Sequence, residues 1–194
     1  MKNTYRKILL VPTLVLALTA CSDSSSEKDE MDDMNHENTD MESGSEENMD
    51  MNHNGSGEVP EDLKVEENPT FEVGSKAIIK NGHMEGMKGA EATIVLAFDT
   101  IAYAVSYTPT TGGEKVSNHK WVVHEEIEDA GDEPLEAGAE VILEADHMEG
   151  MDGAKAEIDS AEQTTVYMIN FTPTTGGEEV TNHKWVTESE LSAK

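Results

Sequence analysis

Three regions of the chain differ in their pattern of hydrophobic and polar residues. Residues 8–18 form a single apolar stretch, and residues 22–58 contain no apolar side chain other than methionine. From about Thr70 onwards, short segments of alternating apolar and polar residues are separated by glycine-rich segments. This pattern predicts a targeting signal at 1–20, a disordered tether at 21–69 and a folded, β-rich region after it.

The folded region is predicted to consist of short strands. Period-two alternation is clearest at 92–98 and 103–107, and there is no convincing helical period. The sequence Thr-Pro-Thr-Thr-Gly-Gly at 108–113 predicts a turn, because proline sets φ and glycine accepts positive φ. The other predicted strands are 77–79, 120–123, 141–143 and 166–171.

The folded region contains the same unit twice. His-Met-Glu-Gly-Met, Thr-Pro-Thr-Thr-Gly-Gly and Asn-His-Lys-Trp-Val recur in the same order, each displaced by 64 residues, as from His83 to His147. Two copies are too few for a solenoid, so we expect two small domains or one fused pair. The repeats are assigned to 70–130 and 134–194, and a short acidic Gly/Pro segment joins them.

The order of elements in each repeat predicts a small β-barrel. A strand, a glycine-rich loop, two strands, a turn and a last strand follow one another, and short strands with glycine-rich turns are typical of such barrels. This order is similar to that of SH3-like barrels of the KOW type. The predicted fold class is therefore all-β, with two tandem SH3/KOW-like modules after a disordered, acidic linker rich in Met and His.

The N-terminal region has the features of a bacterial lipoprotein signal peptide. Lys2, Arg6 and Lys7 precede an apolar stretch that is too short for a stable membrane span. The sequence Leu-Thr-Ala-Cys then matches the lipobox, and cleavage before Cys21 would leave this residue as the lipid-modified N-terminus. Because Cys21 is the only cysteine, no disulfide is expected. The predicted location is the outer face of the cell membrane, with the lipid as anchor.

The chain is strongly acidic, with 41 Asp and Glu against 13 Lys and Arg and a net charge of −28. Removal of the signal peptide takes away three positive charges and no negative ones, which brings the net charge to −31. Nucleic acid and anionic lipid headgroups would be repelled, so we expect neither as a partner. Carboxylates alone would favour hard cations such as Ca²⁺.

Two clusters of methionine and histidine in the tether shift this expectation toward copper. A disordered segment has no packing reason to use thioethers, whereas thioether and imidazole are ligands that copper selects. Each cluster places two sulfurs and one imidazole within a few residues. The alternative is a solvated spacer in which methionine is incidental. The candidate ligands are Met31, Met34, His36, Met49, Met51 and His53.

The His-Met-Glu-Gly-Met loop is the candidate metal site of each repeat. One imidazole and two thioethers could hold Cu(I) with three ligands, whereas Zn²⁺ favours thiolates or more imidazoles. The glutamate is a harder ligand, so its expected role is to neutralise charge or to accept a hydrogen bond near the metal. The alternative is that the methionines fill gaps in the barrel. The candidate ligands are His83, Met84, Met87, His147, Met148 and Met151.

A histidine and a tryptophan near the end of each repeat could join this site. His119 and Trp121, like His183 and Trp185, are two residues apart, which predicts that they share one face of a strand. In an SH3-like barrel the first and last strands are neighbours, so these side chains could approach the loop, and the indole could contact a bound cation. The alternative, which we favour, places the tryptophan in the core and the histidine at the strand edge.

The chain carries no recognisable enzyme motif. It contains no Gly-x-Ser-x-Gly, no phosphate-binding glycine loop and no His-Glu-x-x-His. A catalytic metal needs an open position for water, and thioether sites are poor Lewis acids for hydrolysis. We therefore expect a binding protein rather than an enzyme.

These motifs together resemble the YdhK family of Gram-positive surface lipoproteins, including its copper-resistance branch, which is represented by CopL. The resemblance covers the lipobox, the Met/His/Asp-rich tether and both repeats. It implies that copper is bound outside the membrane, which limits entry of the metal, and it makes a copper exporter a candidate partner. The residues that match by motif are the six loop ligands, whereas the tether matches in composition alone.

Three functions remain as alternatives. The first is a lipid-anchored protein that buffers or sequesters copper as Cu(I) and contributes to copper resistance. The second is a pair of SH3-like modules that bind a cell-wall or protein partner without a metal role, and the third is an anchored accessory to an exporter or other enzyme. Glycan recognition usually needs exposed aromatic rings. The chain has only two Trp, four Tyr and three Phe, several of them in predicted strands, which favours the first alternative.

Overall fold

Seven strands and two short 3₁₀ turns form the secondary structure of residues 54–194, the part of the chain that the computed structural model describes. Within these residues the fold is β-rich and contains no α-helix, as predicted, and no helix there is long and apolar enough to cross a membrane. The strands are β1 (Lys76–Ile79), β2 (Glu91–Tyr107), β3 (Val116–Val123), β4 (Glu140–Ile142), β5 (Lys155–Phe171), β6 (Val180–Thr187) and β7 (Leu191–Ala193); the turns are His124–Glu126 and Glu188–Glu190.

The longest strands, β2 and β5, are continuous over 17 residues each. The predicted break between 98 and 103 is therefore wrong, because the polar residues there pair with β5. Asp99 lies opposite Thr165, and the side-chain amide of Gln163 donates to the Asp99 carboxylate over 2.9 Å. The first residues of β5 were missed because they are mostly polar. They form a strand because the pairing with β2 runs on to Tyr107 and Ala156.

The two repeats share one antiparallel sheet with the strand order β4-β5-β2-β1-β7. Strand β1 pairs with the beginning of β2 and with β7, while β3 pairs with the end of β2. Strand β4 pairs with the beginning of β5, and β6 pairs with its end. Because β2 and β5 are antiparallel, each end of the sheet combines strands from both repeats. The repeats thus form a fused pair.

Three buried apolar clusters hold this arrangement together. One cluster packs residues of β1, β6 and β7 with the beginning of β2 and the end of β5. A second packs residues of β3 with the opposite ends of β2 and β5. A third contains both tryptophans, together with Phe98 and Met168. Each fully buried large apolar side chain contributes about 1.5–3 kcal/mol relative to exposure.

Residues 54–69 pack against the folded region, so the prediction that the disordered tether extends to residue 69 is wrong for this segment. Leu63 is buried beside the tryptophans, and Val65 forms an isolated bridge with Phe98. The Gly55 N–H donates to the Thr181 carbonyl over 3.0 Å. The segment is ordered because Leu63 and Val59 pack into the third apolar cluster, which offsets the entropy cost of fixing its backbone. The predicted signal peptide and residues 21–53 lie outside the described residues.

The Thr-Pro-Thr-Thr-Gly-Gly sequence at 108–113 forms the predicted turn. The Gly112 N–H donates to the Pro109 carbonyl over 2.9 Å, and both glycines have positive φ. The second copy repeats the geometry, with Gly176 donating to Pro173 over 3.0 Å. The local sequence favours this turn, because proline restricts φ and glycine accepts positive φ.

Candidate metal centre

A cavity of about 790 Å³ lies between the two His-Met-Glu-Gly-Met loops and strands β3 and β6. The first loop connects β1 to β2, and the second connects β4 to β5. Each loop contributes a histidine and its first methionine, and each of the two strands contributes one further histidine. The side chains with soft or borderline ligand atoms in the lining are His83, Met84, His119, His147, Met148 and His183.

Each loop is held against the turn of the other repeat. The Gly86 carbonyl accepts hydrogen bonds from the Thr174 N–H over 2.9 Å and from the Thr174 hydroxyl over 3.2 Å. The Gly150 carbonyl accepts the same two bonds from Thr110, over 2.8 and 3.2 Å. A Cβ on Gly86 would lie 2.7 Å from the Pro173 Cβ, so only glycine permits this approach. Because each loop docks on the turn of the other repeat, histidines of both repeats line one cavity.

His83 and His183, the 83/183 pair, come from different repeats and are in direct contact. Their Nε2 atoms lie 3.1 Å apart, and the rings stack with centroids 5.2 Å apart. The His83 Nδ1 lies 3.6 Å from a carboxylate oxygen of Glu190, which is too long for a hydrogen bond. Two imidazole nitrogens at such a short separation can share a proton or bind one metal ion.

His119 and His147, the 119/147 pair, are the equivalent histidines at the opposite loop. Their ring centroids are 6.1 Å apart. The His147 Nε2 lies 2.7 Å from the Glu126 carboxylate, and both side chains are almost fully buried. Burial, and then the charges of His147 and His83, lower the pKa of His119 to about 4. His119 is therefore neutral near pH 7, the state in which imidazole can bind a metal.

Two buried glutamates support these pairs, and the sequence analysis missed both. Glu126 accepts hydrogen bonds from the Trp185 indole N–H over 3.0 Å and from the Val123 N–H over 3.1 Å. Glu190 accepts the Trp121 indole N–H over 2.8 Å. Burial alone would raise the pKa of each carboxyl, but the adjacent histidine and the hydrogen bonds hold it below its usual value. The 64-residue offset between the two glutamates is a signal that could have identified them.

Three ring nitrogens at the cavity are buried and have no hydrogen-bond partner within residues 54–194. They are the Nδ1 atoms of His83 and His147 and the Nε2 atom of His119. A buried polar group without a partner costs about 1–3 kcal/mol of stability. Two of these nitrogens, on His119 and His147, belong to the same pair and are suited to bind one ligand, whereas the His83 Nδ1 lies beside Glu190.

The structure separates the two methionines of each loop. Met84 and Met148 line the cavity, and the Tyr107 hydroxyl lies 3.8 Å from the Met148 sulfur. Met87 and Met151 are fully buried in the first and second apolar clusters and are not part of the cavity wall. The second methionine of each loop therefore fills the core, as the alternative interpretation of the sequence proposed. The first methionine of each loop lines the cavity together with the histidines.

Both tryptophans lie in the core, as the favoured alternative predicted, and their indole N–H groups face buried glutamates rather than the cavity. His119 nevertheless faces the cavity. The prediction that His119 and Trp121 share a strand face is wrong, because β3 is bulged opposite residues 103–105 and the alternation of side chains is interrupted. His124, which has no histidine counterpart in the second repeat, bonds to Tyr103 and Gly131 outside this cavity.

The four histidines form two pairs rather than one preformed group. No three His, Cys, Asp or Glu side chains among residues 54–194 are arranged to hold one ion. A site built on either pair therefore needs another kind of ligand, and the side chains of Met84 and Met148 line the same cavity. The other predicted ligands, Met31, Met34, His36, Met49, Met51 and His53, and the lipidation site Cys21, lie outside the described residues.

Comparison with known proteins identifies relatives of the whole chain. The DUF1541 family, described as proteins of unknown function, matches twice, over residues 73–124 and 137–188. The uncharacterized protein YdhK of Bacillus subtilis strain 168 is 57% identical over 192 residues, which cover 99% of this chain and 90% of that protein.

Solved structures of YdhK agree with this result. A crystal structure of the B. subtilis protein is 64% identical, has a TM-score of 0.72, and covers 75% of this chain and 99% of its own. A solution NMR structure of the YdhK C-terminal domain is 67% identical with a TM-score of 0.61, and covers 64% of this chain and 94% of its own. The two family matches coincide with the two sequence repeats, and the chain belongs to the DUF1541 family.

Proposed function

We propose that this protein is a lipid-anchored, extracytoplasmic copper-binding protein that buffers or sequesters copper as Cu(I) and so contributes to copper resistance. Copper ions are its ligand, the lipid on Cys21 is its attachment to the membrane, and a copper exporter is a candidate partner. The protein binds and releases the metal without acting as an enzyme.

The observation that carries this proposal is the histidine cavity. It contains four imidazoles and two thioethers, and three of its ring nitrogens are buried without a hydrogen-bond partner among the described residues. Imidazole with thioether is a ligand set for copper, whereas Ca²⁺ and Mg²⁺ require oxygen ligands. The two buried carboxylates beside the cavity already accept hydrogen bonds from histidine, tryptophan or backbone N–H groups, so they act as supports for the histidines.

The aromatic residues argue against the alternative of a glycan-binding surface. Every Trp, Tyr and Phe within residues 54–194 is buried except Phe71, which is half-buried and packs edge-on against Tyr167. An aromatic platform for a sugar ring would need exposed rings. The described surface offers none, which supports the metal-binding function over the cell-wall binding module.

The finer features of fold and location belong to the same proposal. We infer that each end of the sheet is an SH3-like barrel, and the pairing of β1 with both β2 and β7 supports this, since first and last strands are neighbours in such barrels. The lipobox at Cys21 supports attachment to the outer face of the membrane, because the diacylglycerol unit carries two acyl chains.

Copper binding is tested by titration of the lipid-free mature chain (Cys21→Ser) with Cu(I) in the presence of a competing chelator. The background variant has all five tether methionines changed to Ser and both tether histidines to Gln, so that only the folded region binds. We expect it to retain Cu(I), and we expect His83→Gln combined with His119→Gln, His147→Gln and His183→Gln to abolish retention. His124→Gln is the matched control, because His124 lies outside the cavity. Equal Cu(I) retention by the quadruple variant and its parent would contradict the proposal.

Anchoring is tested separately by Cys21→Ala in the full precursor. We expect loss of lipidation, with release of the protein or accumulation of the uncleaved precursor. Membrane fractionation and mass spectrometry of the N-terminus measure both outcomes. A processed Cys21→Ala protein that still fractionates with membranes would rule out the lipid anchor and leave the copper site unaffected.

A further inference from the structure

The two histidine pairs are equivalent in sequence. An offset of 64 residues converts His83 into His147 and His119 into His183, so each pair joins the loop histidine of one repeat to the strand histidine of the other. The same offset relates Met84 to Met148. With one cavity-lining methionine assigned to each pair, two imidazoles and one thioether would make a three-coordinate set for Cu(I).

The geometry of the two pairs is nevertheless different. In the 83/183 pair the Nε2 atoms are 3.1 Å apart. Two nitrogens that bind one three-coordinate ion at bonds of 2.0–2.1 Å and angles near 120° lie about 3.5 Å apart, so this pair is a few tenths of an ångström short of the spacing that such an ion requires. In the 119/147 pair the centroids are farther apart, at 6.1 Å, and one nitrogen of His147 is held by Glu126 at 2.7 Å. The 83/183 pair thus already has two ring nitrogens near the spacing that an ion requires, whereas one nitrogen of the 119/147 pair is engaged by a carboxylate.

The charge around the two pairs differs as well. The Lys184 ammonium lies 4.0 Å from the Glu126 carboxylate, and the lysine side chain is 6% exposed. The Glu58 carbonyl and the Asp146 carboxylate, both 3.1 Å from the ammonium, hold it in place. Lys120, the equivalent lysine, lies over the Trp121 ring at 4.9 Å and makes no ion pair with any residue from 54 to 194. Lys184 thus partly offsets the charges of Glu126 and Asp146 beside the 119/147 pair. Glu190, beside the 83/183 pair, has no Lys or Arg partner within residues 54–194, so its charge attracts a cation without that offset.

From this asymmetry we propose that the cavity holds two Cu(I) ions in a fixed order. The first is bound by His83, His183 and Met84, and the second is bound more weakly by His119, His147 and Met148. This inference rests on the proposed copper function and adds its stoichiometry and its order of loading. A tight site and a weak site in one cavity make the protein a graded buffer, which retains one ion and exchanges the other.

The test follows the histidine ring protons by NMR during titration of the lipid-free mature chain with Cu(I), in the background without tether methionines and histidines. We expect the signals of His83 and His183 to change over the first equivalent and those of His119 and His147 over the second. Chelator competition should give two affinities that differ by roughly tenfold or more. His183→Gln should remove the tighter step, and His119→Gln should remove the weaker step.

Lys184 provides a second, independent arm. Lys184→Met removes the ammonium and keeps the apolar stem, so the weaker affinity should increase and the difference between the two steps should narrow. Lys120→Met is the matched control, and the difference should persist in that variant. If both lysine variants show the same difference between the two Cu(I) affinities, the Lys184 charge does not set the order of loading. If Lys184→Met does not fold, the order of the histidine signals in the parent chain decides the matter.

The outcomes distinguish this inference from the function on which it rests. Binding of a single ion that shifts all four histidines together, or loading of His119 and His147 first, overturns the two-ion order and leaves copper binding intact. Absence of Cu(I) binding in the parent chain overturns both. Two steps in the expected order, with the gap reduced by Lys184→Met alone, support the inference.

Discussion

The two methionines of each His-Met-Glu-Gly-Met loop lie only three residues apart but in opposite environments. Met84 and Met148 line the histidine cavity, whereas Met87 and Met151 are fully buried in apolar clusters. The loop turns back between them, with the Met87 N–H donating to the Met84 carbonyl over 3.4 Å. Each loop thus places one methionine side chain at the cavity and the other in the core. The sequence of the motif therefore does not show which of its two methionines lines the cavity.

The largest expected effect on stability comes from truncation of a core methionine. Met87→Ala should lower the free energy of unfolding by about 2–5 kcal/mol, because it removes a fully buried side chain and leaves a cavity. Met84→Ala, at the partly buried position, should have a clearly smaller effect. Denaturant unfolding of both variants measures the difference. Similar decreases in the free energy of unfolding for the two variants would show that Met84 and Met87 contribute equally to packing.

As the pH falls, protonation of His119 should lower the stability of the folded protein before protonation of Glu126 and Glu190 does. The folded pKa of His119 is about 4 and its ordinary value is 6.5, so the unfolded chain takes up the proton first as the pH falls. Stability is therefore lost between pH 6.5 and about 4, by at most about 3 kcal/mol. Glu126 and Glu190 have folded pKa values below their ordinary 4.5, so their contribution is lost only below that pH.

The pH dependence is checked by denaturant unfolding from pH 7 to pH 4. His119→Gln should flatten the profile between pH 6.5 and 4.5, where the two carboxylates do not yet contribute. An unchanged slope in this variant would show that burial of His119 is not the source of the acid sensitivity.

Leucine substitutions should distinguish methionines that bind the metal from methionines that only pack in the core, with a small loss of stability. Met84→Leu with Met148→Leu, and Met87→Leu with Met151→Leu, should each cost less than about 1.5 kcal/mol per site, because the volume is nearly conserved. Only the first pair should weaken Cu(I) binding, since only Met84 and Met148 line the cavity that contains the four histidines. Chelator competition measures this in the tether-substituted background. If the second pair weakens binding as much as the first, the core methionines are ligands after all.

The smallest effect on stability is expected from the tether. Replacement of its five methionines by Ser and its two histidines by Gln should change the free energy of unfolding by less than about 0.5 kcal/mol, because the sequence predicts that the tether makes no packing contacts. The same replacement should reduce the number of Cu(I) ions that the full mature chain takes up. A large loss of stability would mean that the tether packs on the folded region.

Much of the local structure could be predicted from the sequence. The alternation at 92–98 and 103–107 identified strand segments, and Pro109 with Gly112 identified the turn. The absence of α-helix among residues 54–194 and the tandem repeat were also predicted correctly. These features depend on residues close together in the chain, whose backbone preferences act without tertiary contacts. The predicted break at Asp99 failed because the preference of a polar residue was outweighed by pairing with Thr165 on another strand.

The sequence by itself therefore determined the strands, the turns, the duplication and the identity of the candidate ligands. Only the tertiary structure decided which of those ligands meet. His83 and His183 are 100 residues apart in the chain, and they come together because β2 and β5 pair along their length and each loop docks on the turn of the other repeat. The same folding buries Met87 in the core and places Glu190 near His83. Spacing within a motif describes one loop, whereas the cavity is formed by long-range pairing between two copies of that motif.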